Sequence, residues 1–269
     1  MSDQTTDVAE PEAEPQEAGE PAVAAPPAPR PPETAQPGIR ATDRVLCLGP
    51  TGSGKSVLLN YLWSVGPRCQ RLLLDTKDEF TIPGVEPVSK LGAIDWDQPV
   101  IHYIDDRGDL REYDRLFRLL MQRRLGRTVG PRNYGIVVCV HEAGDLCGDQ
   151  PGATPQWVSA YVRKMRAHGG GLYAGSQRPV NMPKVMRTET QHVFAMVADY
   201  DPDDRPVVAK CLRVGEHQLE QLLDQARDLS PTREHSFLWF DKRMKTISIR
   251  PPLPPELRQQ SVVRGLDDG

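Results

Sequence analysis

Gly49-Pro50-Thr51-Gly52-Ser53-Gly54-Lys55-Ser56 is the stretch on which the reading of this chain turns. It fits G-x-x-x-x-G-K-[ST], the pattern of a phosphate-binding loop, and its flanks supply the context that pattern needs. Before it, Arg44-Val45-Leu46-Cys47-Leu48 has the apolar run of a short buried strand; after it, Val57-Leu58-Leu59-Asn60-Tyr61-Leu62 continues as a helix. Glycines in such a turn let successive backbone N–H groups point inward. They form an anion nest at the positive end of the helix. Gly49, Pro50, Thr51, Gly52, Ser53, Gly54, Lys55, Ser56 and Val57 are therefore the expected nucleotide-binding residues. Lys55 is expected to reach the β- and γ-phosphates, and the Ser56 hydroxyl to ligate Mg²⁺.

Working outward, strand and helix signals alternate from about residue 40 to about residue 249. That alternation predicts a three-layer α/β fold with a mainly parallel sheet. Arg71-Leu72-Leu73-Leu74 reads as the second strand and ends in Asp75-Thr76-Lys77-Asp78-Glu79-Phe80. Polar residues at such a strand end lie where open α/β sheets bind ligands, although a solvated turn would look the same. Pro83 to Gln98 reads as a loop or small insertion, and Val100-Ile101-His102-Tyr103-Ile104 as a further strand. A helix is expected from about Asp109 to Leu125, with Arg111, Arg115 and Arg118 on one face and Arg123, Arg124 and Arg127 following. The stripe could neutralise nucleic-acid phosphates or be a solvated amphipathic face.

Gly135-Ile136-Val137-Val138-Cys139-Val140 is the most continuously apolar segment and is expected centrally in the sheet. It runs into His141-Glu142-Ala143-Gly144-Asp145. Glu142 is well placed to polarise an attacking water. His141 stands where a metal-holding carboxylate would be expected; its neutral imidazole could take a hydrogen bond from a Mg²⁺-bound water but brings no negative charge. Gln156 to His168 reads as a helix with Arg163, Lys164 and Arg166 near its end. These cations either complement the helix dipole or reach a neighbouring subunit's γ-phosphate. Gly169-Gly170-Gly171 reads as a turn into the strand Leu172-Tyr173-Ala174-Gly175, which ends in Ser176-Gln177-Arg178-Pro179. Gln177 at that tip could sense γ-phosphate or orient water. A strand at 191–197, helices near 207–212 and 216–229, and a closing hairpin of 236–240 with 244–249 complete the body.

The ends differ from this body. The formal net charge of −4 divides into −7 over the first 39 residues and +3 over the rest. Nine prolines, many Glu and Ala and low hydrophobicity make residues 1–39 an expected disordered acidic tail. It lacks the charged start and apolar run of a secretory signal. No stretch approaches the roughly 18 consecutive apolar residues of a membrane-spanning helix. Residues 251–269, opening Pro251-Pro252-Leu253-Pro254-Pro255, are expected to be an extended tail. Five cysteines, without a C-x-x-C pair, fit a reducing cytoplasm.

Four features, in this order, carry a resemblance: GPTGSGKS, LLLDTKDEF, the apolar strand ending in HEAGD, and the AGSQRP strand end after VRKMRAHGGG. Together they resemble the FtsK/HerA superfamily of ring-forming, DNA-pumping P-loop ATPases, over about residues 40–249. In size the chain is most similar to phage DNA-packaging ATPases. The resemblance implies a RecA/ASCE-like domain over residues 40–250 that binds ATP and Mg²⁺. It implies phosphate and metal contacts from Lys55 and Ser56, with His141 in the metal position. It also implies water activation by Glu142, γ-phosphate sensing by Gln177 and an arginine finger from Arg163 or Arg166. Implied partners are double-stranded DNA, further copies in a ring, and a capsid or membrane protein met through the acidic tail. A packaging role would place the protein with the virion as well as in the cytoplasm. His141 departs from the usual Asp-Glu pair and motivates the alternative of a slow or non-hydrolysing nucleotide switch or assembly factor.

Overall fold

The first strand, β1 (Arg44–Leu48), is buried along its whole length, and its alternate side chains enter two separate cores. Leu46 and Leu48 face one, Val45 and Cys47 the other, as period-two alternation dictates for a strand covered on both faces. The computed structural model describes residues 38–66, 69–105, 108–124, 135–147, 154–229, 235–259 and 264–265. The acidic tail, up to residue 37, and Arg127 lie outside the described residues.

Around β1 stand α1 (Lys55–Val65), β2 (Gln70–Asp75), the short β3 (Phe80–Thr81), β4 (Val100–Ile104), α2 (Leu110–Arg124) and β5 (Ile136–Val140). They are followed by α3 (Gln156–Lys164), β6 (Gly170–Ser176), α4 (Lys184–Glu189), β7 (His192–Met196), α5 (Arg205–Leu212), α6 (Glu216–Leu229), β8 (Phe237–Asp241) and β9 (Thr246–Arg250). The sheet order is β4-β2-β5-β6-β1-β7-β8-β9. The first six are mutually parallel, and β8 and β9 add the expected antiparallel hairpin. The fold is thus the expected α/β P-loop NTPase architecture with a mainly parallel central sheet.

The two faces are covered unequally. The larger core takes Tyr113, Leu116, Phe117 and Leu120 of α2, Tyr161 and Val162 of α3, and residues of α4, α5 and α6. The smaller takes Leu58, Leu59, Leu62 and Trp63 of α1 with Phe80 and Ile82. Leu253 and Leu257 pack against that second core. Beyond the Pro251–Pro254 run, α7 (Pro255–Arg258) turns helically against α1, a departure from a wholly extended tail. Pro255 opens it, at the one helical position where a missing N–H costs nothing.

The triple glycine also behaves differently from a simple turn. Only Gly169 turns, at φ 81°, while Gly170 and Gly171 already belong to β6. Gly171 is demanded by close approach, because a side chain there would collide with the Ala41 carbonyl. The effect is a seven-residue strand whose far end reaches the phosphate loop.

Candidate nucleotide-binding site

The loop between β1 and α1 is held by its own backbone. Gly52 and Gly54 adopt φ of 77° and 85°, values that favour glycine, and the Ser53 amide donates to the Pro50 carbonyl at 3.4 Å. Gly49 N donates to Ser176 O at 3.2 Å, which ties the loop to the tip of β6. The loop opens onto an eleven-residue helix, and the first-turn amides of a helix are free to bind an anion. Thr51 and Gly52 stand exposed at its crest, and Ser56 is half-buried in the first turn.

Lys55 is buried at 5% exposure, and its Nζ approaches the His141 carbonyl at 3.5 Å. Burial pulls the ammonium below the ordinary lysine value, and Glu142 pushes back. Gly175 makes this approach possible: a Cβ built there would fall 2.5 Å from the same His141 oxygen.

Glu142 and Gln177 come together as the strand tips suggest. Glu142 Oε2 accepts from the Gln177 backbone N–H at 2.9 Å, and Gln177 Oε1 accepts from the Thr51 hydroxyl at 2.9 Å. A continuous polar line therefore runs from the loop crest through Gln177 to Glu142, above the buried amine.

His141 is buried, and its ring stacks on Phe80 at 3.7 Å between centroids. Neither ring nitrogen has a hydrogen-bond partner. Burial first, and then Lys55, push the imidazole down to about 3, so it is neutral at ordinary pH. Mg²⁺ takes oxygen ligands in near-octahedral geometry. The Ser56 hydroxyl fits that demand; the imidazole fits only as an acceptor from a metal-bound water. Among the described residues no group of three or more His, Cys, Asp and Glu side chains is arranged to hold a metal ion.

The turn after β2 is more than a solvated loop. Asp75 is 1% exposed and accepts from the amides of Lys77, Glu79 and Phe80, with His102 Nε2 at 3.3 Å. Burial alone would raise its pKa; His102 and the three amides outweigh it and hold the carboxyl below the usual range. Thr76 donates to Asp145 at 2.6 Å, which joins this turn to the segment after Glu142. Asp75 thereby presents Phe80 to His141. The DTKDEF segment signalled a site, but a contact between Phe80 and His141 leaves no periodic trace in sequence.

The arginines stand elsewhere. Arg163, in the last turn of α3, and Arg166, just after it, are exposed shortly before β6 begins, about 20 Å of strand away from the loop. Arg166 lies near Arg44, whose guanidinium burial and then Arg166 depress. These residues are not brought to this chain's own loop. On α2, Arg115 pairs with Glu112 at 3.4 Å and Arg118 lies over Trp157 at 5.7 Å.

No protein-family model and no curated sequence matches the chain. Solved structures do. The genome-packaging NTPase B204 from Sulfolobus turreted icosahedral virus 2, in complex with ATP-gammaS, superposes with a TM-score of 0.59 at 17% identity. The match covers 80% of this chain and 100% of that one. The same protein with AMPPCP gives 0.59 at 16% identity over the same shares. B204 of Sulfolobus Turreted Icosahedral Virus, a DNA-packaging ATPase, gives 0.57 at 15% identity, again covering 80% and 100%. The chain has the fold of these viral P-loop genome-packaging NTPases, the architecture that its FtsK/HerA-like motifs imply.

Proposed function

We propose that this protein is an ATP-hydrolysing motor that moves double-stranded DNA, assembled as a homo-oligomeric ring for genome packaging or transfer. The observation that carries the reading is the line Thr51–Gln177–Glu142 above the buried Lys55. It gathers a carboxylate, a glutamine and a lysine around one loop, which supports roles for them in water activation, γ-phosphate sensing and phosphate binding.

Residues Gly49 to Val57 hold the phosphates, with Lys55 at the β- and γ-positions. Ser56 would hold Mg²⁺, with His141 as an acceptor beside it, and the ion would supply neutralisation of phosphate charge. Glu142 takes the proton of the attacking water, and Gln177 senses the γ-phosphate. Arg163 or Arg166 serves a neighbouring subunit, since neither reaches the loop of its own chain. DNA handling is supported by the likeness to proteins named for packaging and by the exposed arginines of α2. The body carries only +3, so ring formation concentrates the charge that meets DNA. The acidic tail suits a capsid or membrane partner, with the protein in the cytoplasm or on the virion.

A second reading rests on His141: a neutral, buried imidazole in the acidic position fits a nucleotide switch or assembly factor that hydrolyses slowly. One assay separates the two. ATP hydrolysis is measured with and without long double-stranded DNA over a salt series, with particle mass alongside. The motor requires DNA stimulation that weakens steeply as salt rises, together with a ring. A monomer that binds ATP and ignores DNA sinks the motor and leaves the switch.

A further inference from the structure

The end of the sheet next to β1 clamps the phosphate loop at both of its terminal glycines. On one side, a Cβ built on Gly49 would fall 2.8 Å from Met196, the last residue of β7. On the other, a Cβ on Gly54 would fall 2.8 Å from His235 Nδ1 and 3.0 Å from its Cγ. The His235 ring therefore fills the space beside the glycine that begins α1. Its Nδ1 is buried there without a hydrogen-bond partner.

The backbone at His235 is unusual as well. Its φ of 64° is left-handed, a conformation unfavourable for a non-glycine residue that gathers at ligand sites. Arg213 shares the conformation because it closes α5, and Lys245 because it lies in the β8–β9 turn. His235 instead stands at the threshold of β8, anchored by the Val197 amide donating to Ser236 O at 2.8 Å. Met196 pairs with Phe237 in the adjoining ladder. Two strands thus fix the ring on the loop.

A buried ring nitrogen is destabilising while it lacks a partner. The group that a glycine loop at a helix start is built to receive is a phosphate. We propose that His235 is a further nucleotide-binding residue, donating from Nδ1 to the phosphate chain from the β7–β8 side of β1, across from Gln177 on the β6 side. The proposal rests on the nucleotide-binding reading above and adds a ligand that the loop pattern does not contain.

The test titrates ATP, inorganic tripolyphosphate and adenosine into the full chain, with His235→Ala and His235→Asn as variants. Asparagine tolerates the left-handed backbone and keeps a donor; thermal unfolding checks that both variants fold. His235→Ala is expected to weaken ATP and tripolyphosphate at least tenfold, with adenosine unchanged and Asn recovering part of the loss. Unchanged or tighter ATP binding by His235→Ala overturns the proposal, because the ring then only packs on the loop or obstructs it. Weaker ATP with unaltered tripolyphosphate also overturns it, placing the contact on the nucleoside. A wild-type protein that binds neither phosphate probe overturns this proposal and nucleotide binding together.

Discussion

The two ends of the parallel strands treat buried polar groups in opposite ways. At the end where β1 begins, Asp43 and His192 are both fully buried, with His192 Nε2 3.3 Å from Asp43 Oδ2. Arg243 approaches the same carboxylate at 3.2 Å and donates to the Gly38 carbonyl, and Trp239 Nε1 donates to His192 Nδ1 at 3.4 Å. In that cluster Asp43 Oδ1, and beside it the neighbouring Arg44 Nε, are left without a partner. At the end where β1 meets the loop, both nitrogens of His141, the Ser176 hydroxyl, His235 Nδ1 and the Ser236 hydroxyl are all buried and unpartnered. Buried polar groups are ordinarily hydrogen-bonded, so a concentration of exceptions calls for a cause. One end uses its polar groups to hold the fold; in the proposed function the other keeps them for a ligand.

The largest effect that tests this contrast belongs to Lys55→Ala. Nucleotide affinity should fall roughly hundredfold or more, as expected when a charged donor to phosphate is lost. Stability should stay level or rise slightly, because burial already disfavours the ammonium. Calorimetric titration and urea unfolding of the same variant read both quantities. A large loss of stability with affinity intact would reverse the roles assigned to the two ends.

Asp43→Asn probes the other end. Breaking a buried charge cluster by neutralising one member costs about 3 kcal/mol or more. Burial would raise the Asp43 pKa, but His192, the Arg40 amide and Arg243 outweigh it, so the cluster stabilises the ionised form. Urea unfolding should show that loss, while the dissociation constant for ATP stays within threefold of wild type. Weakened ATP binding in a well-folded variant would mean that the two ends are coupled.

Much of the ligand end is legible in sequence because its signals are local. The glycine spacing, the preceding apolar strand and the following helix place Lys55 and Ser56 without tertiary information. Glu142 and Gln177 are legible as polar residues at the tips of apolar strands. What escapes is set by contacts between distant segments: Thr51 meets Gln177 across 126 positions, and Phe80 stacks on His141. The structural end is less legible still. Asp43 and His192 are 149 positions apart, and Arg243 reaches them from a hairpin turn that composition marks only as polar. Gly170 and Gly171 mislead because glycine serves close packing as readily as it serves a turn.

Asp75 tests the contrast from within, because it is a satisfied carboxylate at the unsatisfied end. Three amides and His102 hold it, and through it the Phe80 ring against His141. Asp75→Asn keeps the shape but loses the charge-assisted bonds, at about 2 kcal/mol by urea unfolding at pH 7. The sign of the pH dependence follows from the depressed folded pKa. The contribution is full above the unfolded value near 3.8 and is lost as pH falls through the folded value. Wild type and variant should therefore differ at pH 7 and pH 5 and converge below about pH 4. Equal stability at pH 7 would show that the turn is held by packing alone. If the gap appears as expected and ATP turnover also drops while ATP affinity holds, Asp75 acts by positioning the His141 side of the site, and the division between the two ends is one of degree.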